Sequence, residues 1–221
     1  MRLAMCSLVV ILLAAAGAVA QDAGKRPVMG LETALVVIDI QQFYFEGGLV
    51  PLTGSVEAAG QARRVLDAFR ARALPVFHVR HVPANVAIVD GEPANPQYRI
   101  RPEVRPAAGE SVVTKRFPNS FRDTGLLDAL RAKGITRLVI VGMQTHMCVE
   151  AASRAAADLG FDVVVVHDAC ATRPLEFGGR TVPAEMVHAA ALAAVKGTYG
   201  RVVSVEELLE ELSRGVRGGV A

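Results

Sequence analysis

Apolar and polar residues alternate along this chain with two distinct periods. Short apolar runs rich in β-branched residues at 34–40, 137–141 and 162–166 each close on polar or loop-forming residues, the pattern of strands buried on both faces. Segments 75–79, 111–114 and 201–204 repeat the pattern in weaker form. Between them, apolar residues recur at helical spacing over 55–73, 124–133, 147–159, 183–196 and 205–214. Punctuation supports these bounds: Thr124 caps a segment with Leu126, Leu127 and Leu130 on one face, Gly134 and Gly160 act as stops, and Pro183 opens a helix. Strand and helix therefore alternate, which predicts an α/β fold built as a three-layer α/β/α sandwich around a mainly parallel sheet. Ligands in such sheets bind beyond the carboxyl ends of the strands, where the strand order reverses, so the residues just after each strand carry the functional reading. The segment 82–106, with five prolines and few periodic apolar residues, reads as one long loop able to wall a pocket.

Residues 1–20 stand apart from this pattern. Arg2, an apolar run over 8–16 and the ending Ala18-Val19-Ala20 have the layout of a secretory signal with cleavage before Gln21. The chain is thus expected to be exported, periplasmic or secreted, with residues 21–221 forming a single domain. The apolar run is shorter than the ~20 residues that span a bilayer, so no membrane association is expected after cleavage. Cys6 precedes that run, which is the wrong place for a lipidated first residue of the mature chain. Aromatic residues make up only 5%, so the core must come from Val, Ile, Leu and Ala, which suits a parallel sheet under Ala-rich helices. Basic and acidic residues nearly balance at 24 and 22, without a cationic stripe, and nucleic acid is a poor partner. Beyond the signal only Cys148 and Cys170 remain, too few for a disulfide-stapled scaffold; a thiol kept free in an oxidising compartment asks for a chemical explanation.

Three residues that follow strands offer such chemistry. Asp39 lies where buried aliphatics meet the end of the first strand; it either accepts backbone N–H groups in the next turn or needs a nearby cation. Lys115 directly follows the third strand and is either solvated surface or that cation. Cys148 falls in the first turn of an Ala-rich helix, where free N–H groups and the helix dipole favour a thiolate and can hold an oxyanion; its alternative fate is that of a small buried hydrophobe. Gln41, Tyr44, His81, Asn119 and Phe121, which lie close to these positions or at the end of the second strand, are the candidate substrate contacts.

The stretches VVIDIQ, TKRFPNSF and GMQTHMCVEAASRAAADLGFDVVVVHDACAT resemble the isochorismatase-like cysteine hydrolases, in the family's order and over about 35–209. The resemblance implies a Rossmann-like six-stranded parallel sheet of order 3-2-1-4-5-6, which sets the ends of strands one and four side by side. It implies Asp39 as general base, Lys115 as catalytic lysine and Cys148 as nucleophile. It also implies a cis peptide between Met143 and Gln144 that turns the Gln144 N–H, with the Cys148 N–H, into an oxyanion hole. The activity implied is hydrolysis of a C–N bond in a small amide, ureide or carbamoyl compound through a thioester on Cys148, without a cofactor. Nicotinamidases of this family carry a metal-binding Asp-x-His set near the end of strand two, whereas this chain reads His78-Val79-Arg80-His81 there, so no metal is expected. Isochorismatases proper cleave a vinyl ether and lack the cysteine, so Cys148 favours C–N hydrolysis over that ether chemistry. Family likeness also suggests a homo-oligomer.

Rival readings remain at this level. His146 or the pair His167-Asp168 would give a Cys–His scheme, and His188 reads as packing or interface. A non-catalytic periplasmic binding module would keep the pocket without the turnover. Cys148 and Cys170 follow neighbouring strands; both are expected to stay free, with Cys148 the more reactive and of lowered pKa.

Overall fold

The computed structural model describes residues 29–217, so the signal-like segment 1–20 and its cleavage site lie outside the described residues. Six parallel strands form the central sheet: β1 (Thr33–Ile38), β2 (Val76–His81), β3 (Ser111–Lys115), β4 (Arg137–Met143), β5 (Asp162–Ala171) and β6 (Arg201–Val203). Their order is β6-β5-β4-β1-β2-β3, the expected arrangement, and β1 lies between β4 and β2. The strand order reverses there, so the carboxyl ends of β1 and β4 flank the crevice where ligands bind.

Successive residues of each strand point to opposite faces, and the core divides accordingly. Leu35, Val37, Val139, Val141 and Val164 pack with Ala59, Ala62, Leu66 and Phe69 of α1 (Ser55–Arg70) and with Leu208 and Leu212 of α5 (Val205–Arg217). Their neighbours Ala34, Val36, Ile38, Leu138, Ile140 and Val163 pack on the other side. There they meet Leu126 and Leu130 of α2 (Leu126–Ala132), Ala152 and Ala156 of α3 (Glu150–Asp158), and Val195 of α4 (Ala184–Val195). Small alanines let the helices sit close to the aliphatic sheet, and the result is the expected three-layer sandwich.

Several boundaries depart from expectation, each for a local reason. β5 runs five residues past the apolar segment that announced it, because a register shift against β4 absorbs the polar pair His167-Asp168 before pairing resumes at Gly142 with Cys170. Asp168 is used there: its Oδ1 accepts from Val205 N at 2.9 Å at the head of α5. α2 starts at Leu126 rather than Thr124, whose Oγ1 accepts from Leu126 N at 3.4 Å and donates to Ser120 O at 2.6 Å. The segment 82–106 holds a small hairpin, Ile88–Val89 with Glu92–Pro93, and two short 3₁₀ turns, Pro96–Tyr98 and Pro102–Val104.

At the sheet centre Gly142, at φ 131°, pairs with Ile38, and a Cβ there would lie 1.9 Å from Ile38 O. Only glycine permits so close an approach. It brings the two segments after β1 and β4 together, and these carry Asp39 and Cys148.

Candidate active site

Asp39 follows β1 directly, at φ 49°, with its N–H donated to Val79 O at 2.8 Å. Lys115 is the last residue of β3, across β2 from Asp39, in register with His81. Cys148 is in a π-helical turn, Thr145–Val149, that joins β4 to α3. All three are buried: the side chains of Asp39 and Lys115 are 0% exposed and Cys148 is 4% exposed. The Lys115 Nζ lies 2.7 Å from Asp39 Oδ2 and donates to Cys148 Sγ at 3.2 Å. The Asp39 carboxylate thus meets both the Lys115 ammonium and the Cys148 thiol by hydrogen bonding, which puts the thiol proton within its reach. Of the two readings open for Asp39 and Lys115, the structure supports carboxylate and cation.

The thiol differs from expectation. Burial pushes the Cys148 thiol up to about 12, and the Asp39 charge acts in the same direction while Lys115 opposes it. Helix-start stabilisation of a thiolate is outweighed because Cys148 is the fourth residue of the turn, enclosed beside a carboxylate. At Lys115, burial would lower the pKa, but the charges of Asp39 and Cys148 overcome it and hold the ammonium above its ordinary value. The thiol therefore rests protonated beside a charged lysine.

The peptide between Met143 and Gln144 is cis. Gln144 O accepts from Met147 N at 3.0 Å and from Val149 N at 3.2 Å, so the amides on either side of Cys148 anchor the turn. Gln144 Nε2 donates to Tyr44 Oη at 3.2 Å, while Gln144 Oε1 is buried with no hydrogen-bond partner. Burial, then the charges of Asp39 and Cys148, raise the Tyr44 phenol above its ordinary pKa and keep it neutral.

A cavity of about 230 Å³ opens above Cys148, lined by Phe43, Tyr44, Leu49, Val50, His81, Pro83, Tyr98, Pro118, Gln144 and Met147. Tyr44 and His81 thus line it as expected. Gln41, Asn119 and Phe121 do not, and each has other work. Gln41 clamps the strand ends, with Nε2 donating to His81 O at 3.0 Å and Oε1 accepting from His81 N at 2.8 Å. Asn119 Oδ1 accepts from Phe121 N at 2.9 Å in a turn, and the Phe121 ring stacks on Phe161 with centroids 6.2 Å apart. The aromatic wall was missed: Phe43 packs 4.0 Å from Tyr44 and 5.4 Å from Tyr98, ring centre to ring centre. Its one signal was the loop 82–106, which supplies Pro83 and Tyr98.

The histidines of β2 do not converge. Residues three apart on a strand face opposite sides, and His78 turns away from the cavity to place Nε2 2.8 Å from Glu110 Oε2, which Arg70 also holds. Among the described residues no group of three or more His, Cys, Asp and Glu side chains is placed to hold a metal ion, so the donors present do not fit a nicotinamidase-type metal set. Prolonged chelation is expected to leave turnover unchanged; loss of activity restored by zinc, iron or manganese would refute this. His146 Nδ1 pairs with Thr172 Oγ1 at 2.5 Å and His188 Nδ1 with Thr145 Oγ1 at 2.9 Å, while the groups that act on the Cys148 thiol are Asp39 and Lys115. Cys170 is free, like Cys148, but donates to Val166 O at 3.3 Å, and burial pushes its thiol up to about 12.

Comparison with known proteins gives a consistent result. Residues 33–207 match the model of the isochorismatase domain. A Bacillus subtilis (strain 168) isochorismatase family protein, YddQ, is 41% identical over 81% of this chain and 100% of its own length. The maleamate amidohydrolase of Pseudomonas putida is 29% identical over 86% of this chain and 91% of its own. Among solved structures, an isochorismatase from Pseudomonas putida KT2440 superposes with a TM-score of 0.75 at 32% identity, covering 83% of this chain and 93% of that one.

Proposed function

We infer that this chain, which belongs to the isochorismatase family, is a hydrolase of small molecules that cleaves a carbon–nitrogen bond of an amide, ureide or carbamoyl group. The observation that carries this reading is the placement of Lys115 Nζ between Asp39 Oδ2 and Cys148 Sγ at the floor of a cavity. A high-pKa thiol is a poor nucleophile until a base takes its proton, and the Asp39 carboxylate, hydrogen-bonded to that thiol, is the base at hand. In this reading Asp39 takes the proton as sulfur adds to the carbonyl carbon. The oxyanion is held by the N–H groups of Gln144 and Cys148. Asp39 then gives its proton to the departing nitrogen, leaving a thioester. A water molecule attacks the thioester with Asp39 again as base, and the proton returns to sulfur as the acid leaves. Lys115 stays charged throughout and balances Asp39 or the oxyanion.

The test is to mix the protein with small amides, ureas and carbamates, quench with acid and measure intact mass. An acyl adduct confined to Cys148, absent from Cys148→Ala, is expected. A binding module would form no adduct and would bind as well after Cys148→Ala.

Export belongs to the same proposal and rests on residues 1–20 alone. Mass analysis of exported protein is expected to find Gln21 at the amino terminus; a retained Met1–Ala20 segment would overturn it.

A further inference from the structure

Within the hydrolase reading above, on which this inference rests, we propose that the substrate is a small, uncharged amide with an apolar acyl group, and that acyl groups ending in a carboxylate are rejected. The cavity of about 230 Å³ is smaller than the ~300–1,000 Å³ of pockets for drug-sized ligands. Its wall is aliphatic and aromatic, from Phe43, Leu49, Val50, Tyr98, Pro118 and Met147, and among the described residues no arginine or lysine lines it. The nearest cation, Lys115, is already committed to Asp39 at 2.7 Å, so the pair offers an incoming anion no net charge.

The polar groups that do line the cavity suit a neutral ligand. Gln144, 5% exposed, keeps a buried Oε1 without a partner; an acceptor complements an N–H donor and repels a carboxylate, which has only acceptors. His81 is held below its ordinary pKa by burial and then by Lys115, so it stands in the wall as a neutral imidazole. Arg173 influences Tyr44 and His146 by its charge but is not part of the lining. Arg116 likewise acts on His81 by its charge without lining the cavity, so a carboxylate here would give up water with no cation in direct contact, whereas a branched alkyl group of the same shape would gain from burial.

Two matched pairs of primary amides test this: isovaleramide against malonamate, and isocaproamide against succinamate. Within each pair an isopropyl group replaces the carboxylate. The neutral member is expected to show a kcat/KM higher by on the order of a hundredfold. Equal rates, or a preference for either half-amide, would overturn the inference while leaving the hydrolase reading intact. A half-amide preference lost on Arg173→Ala would overturn it too, and would assign the recognition of the carboxylate to that guanidinium. If no amide of either kind is cleaved and no Cys148 adduct is found by mass, the hydrolase reading and this inference fall together.

Discussion

Under the proposed mechanism, Cys148→Ser is expected to lower kcat by on the order of 10⁴-fold or more, because Cys148, Asp39 and Lys115 act in it as one unit. A serine hydroxyl in this buried place is far harder to deprotonate than a thiol, and Asp39 is the base at hand. Asp39→Asn should cost a similar factor, and the Asp39→Asn, Cys148→Ser double variant no more than the worse single one. Modest losses that multiply would show that the two residues act independently, contrary to the shared contact through Lys115. The same geometry fixes how the thiol responds to pH. With its pKa near 12, Cys148 should react slowly with a general alkylating reagent at neutral pH and speed up towards strong alkali. A fast site titrating near neutrality would restore the resting thiolate that the sequence suggested.

Lys115→Met is the second large effect. It leaves the Asp39 carboxylate fully buried without its cation, a loss of about 3–5 kcal/mol in comparable buried pairs. For a domain of this size that is a fall in Tm of roughly 10 °C. Turnover should vanish with it. Adding Asp39→Asn to Lys115→Met should recover most of the lost stability, since no charge is then stranded, and none of the activity. This split separates an ion pair from mere packing. An unchanged Tm in the single variant would show that water reaches Asp39 and that the pair is not closed off.

The six strands were legible because their apolar runs are short, β-branched and sharply bounded, and the residues that follow β1, β3 and β4 were legible because strand ends are where such sheets do chemistry. What failed did so for identifiable reasons. The far part of β5 was hidden because His167 and Asp168 break the apolar run, and the register shift that absorbs them leaves no sequence mark. The thiol's pKa was misjudged because helix position is a local feature, whereas enclosure beside Asp39 depends on residues more than a hundred positions away. Gln41, Asn119 and Phe121 lie close in sequence to Asp39 and Lys115, but side-chain direction sends them to a strand clamp, a turn and a ring stack. Phe43 and Tyr98 went unnoticed because an apolar residue in a loop looks the same whether it faces a pocket or the core.

The contact between Gly142 and Ile38 has a bearing on how such a protein can change over generations. With no space for even a methyl group between them, β1 and β4 lie in close register, and Asp39 and Cys148 follow from adjoining strand ends. The rim above those ends comes from connecting segments, and Leu49 and Val50 stand at it 60% and 36% exposed. Loops accept substitution and insertion far more readily than a central strand does. Descendants of this chain are therefore free to acquire new substrates by rewriting the rim while inheriting the chemistry unaltered.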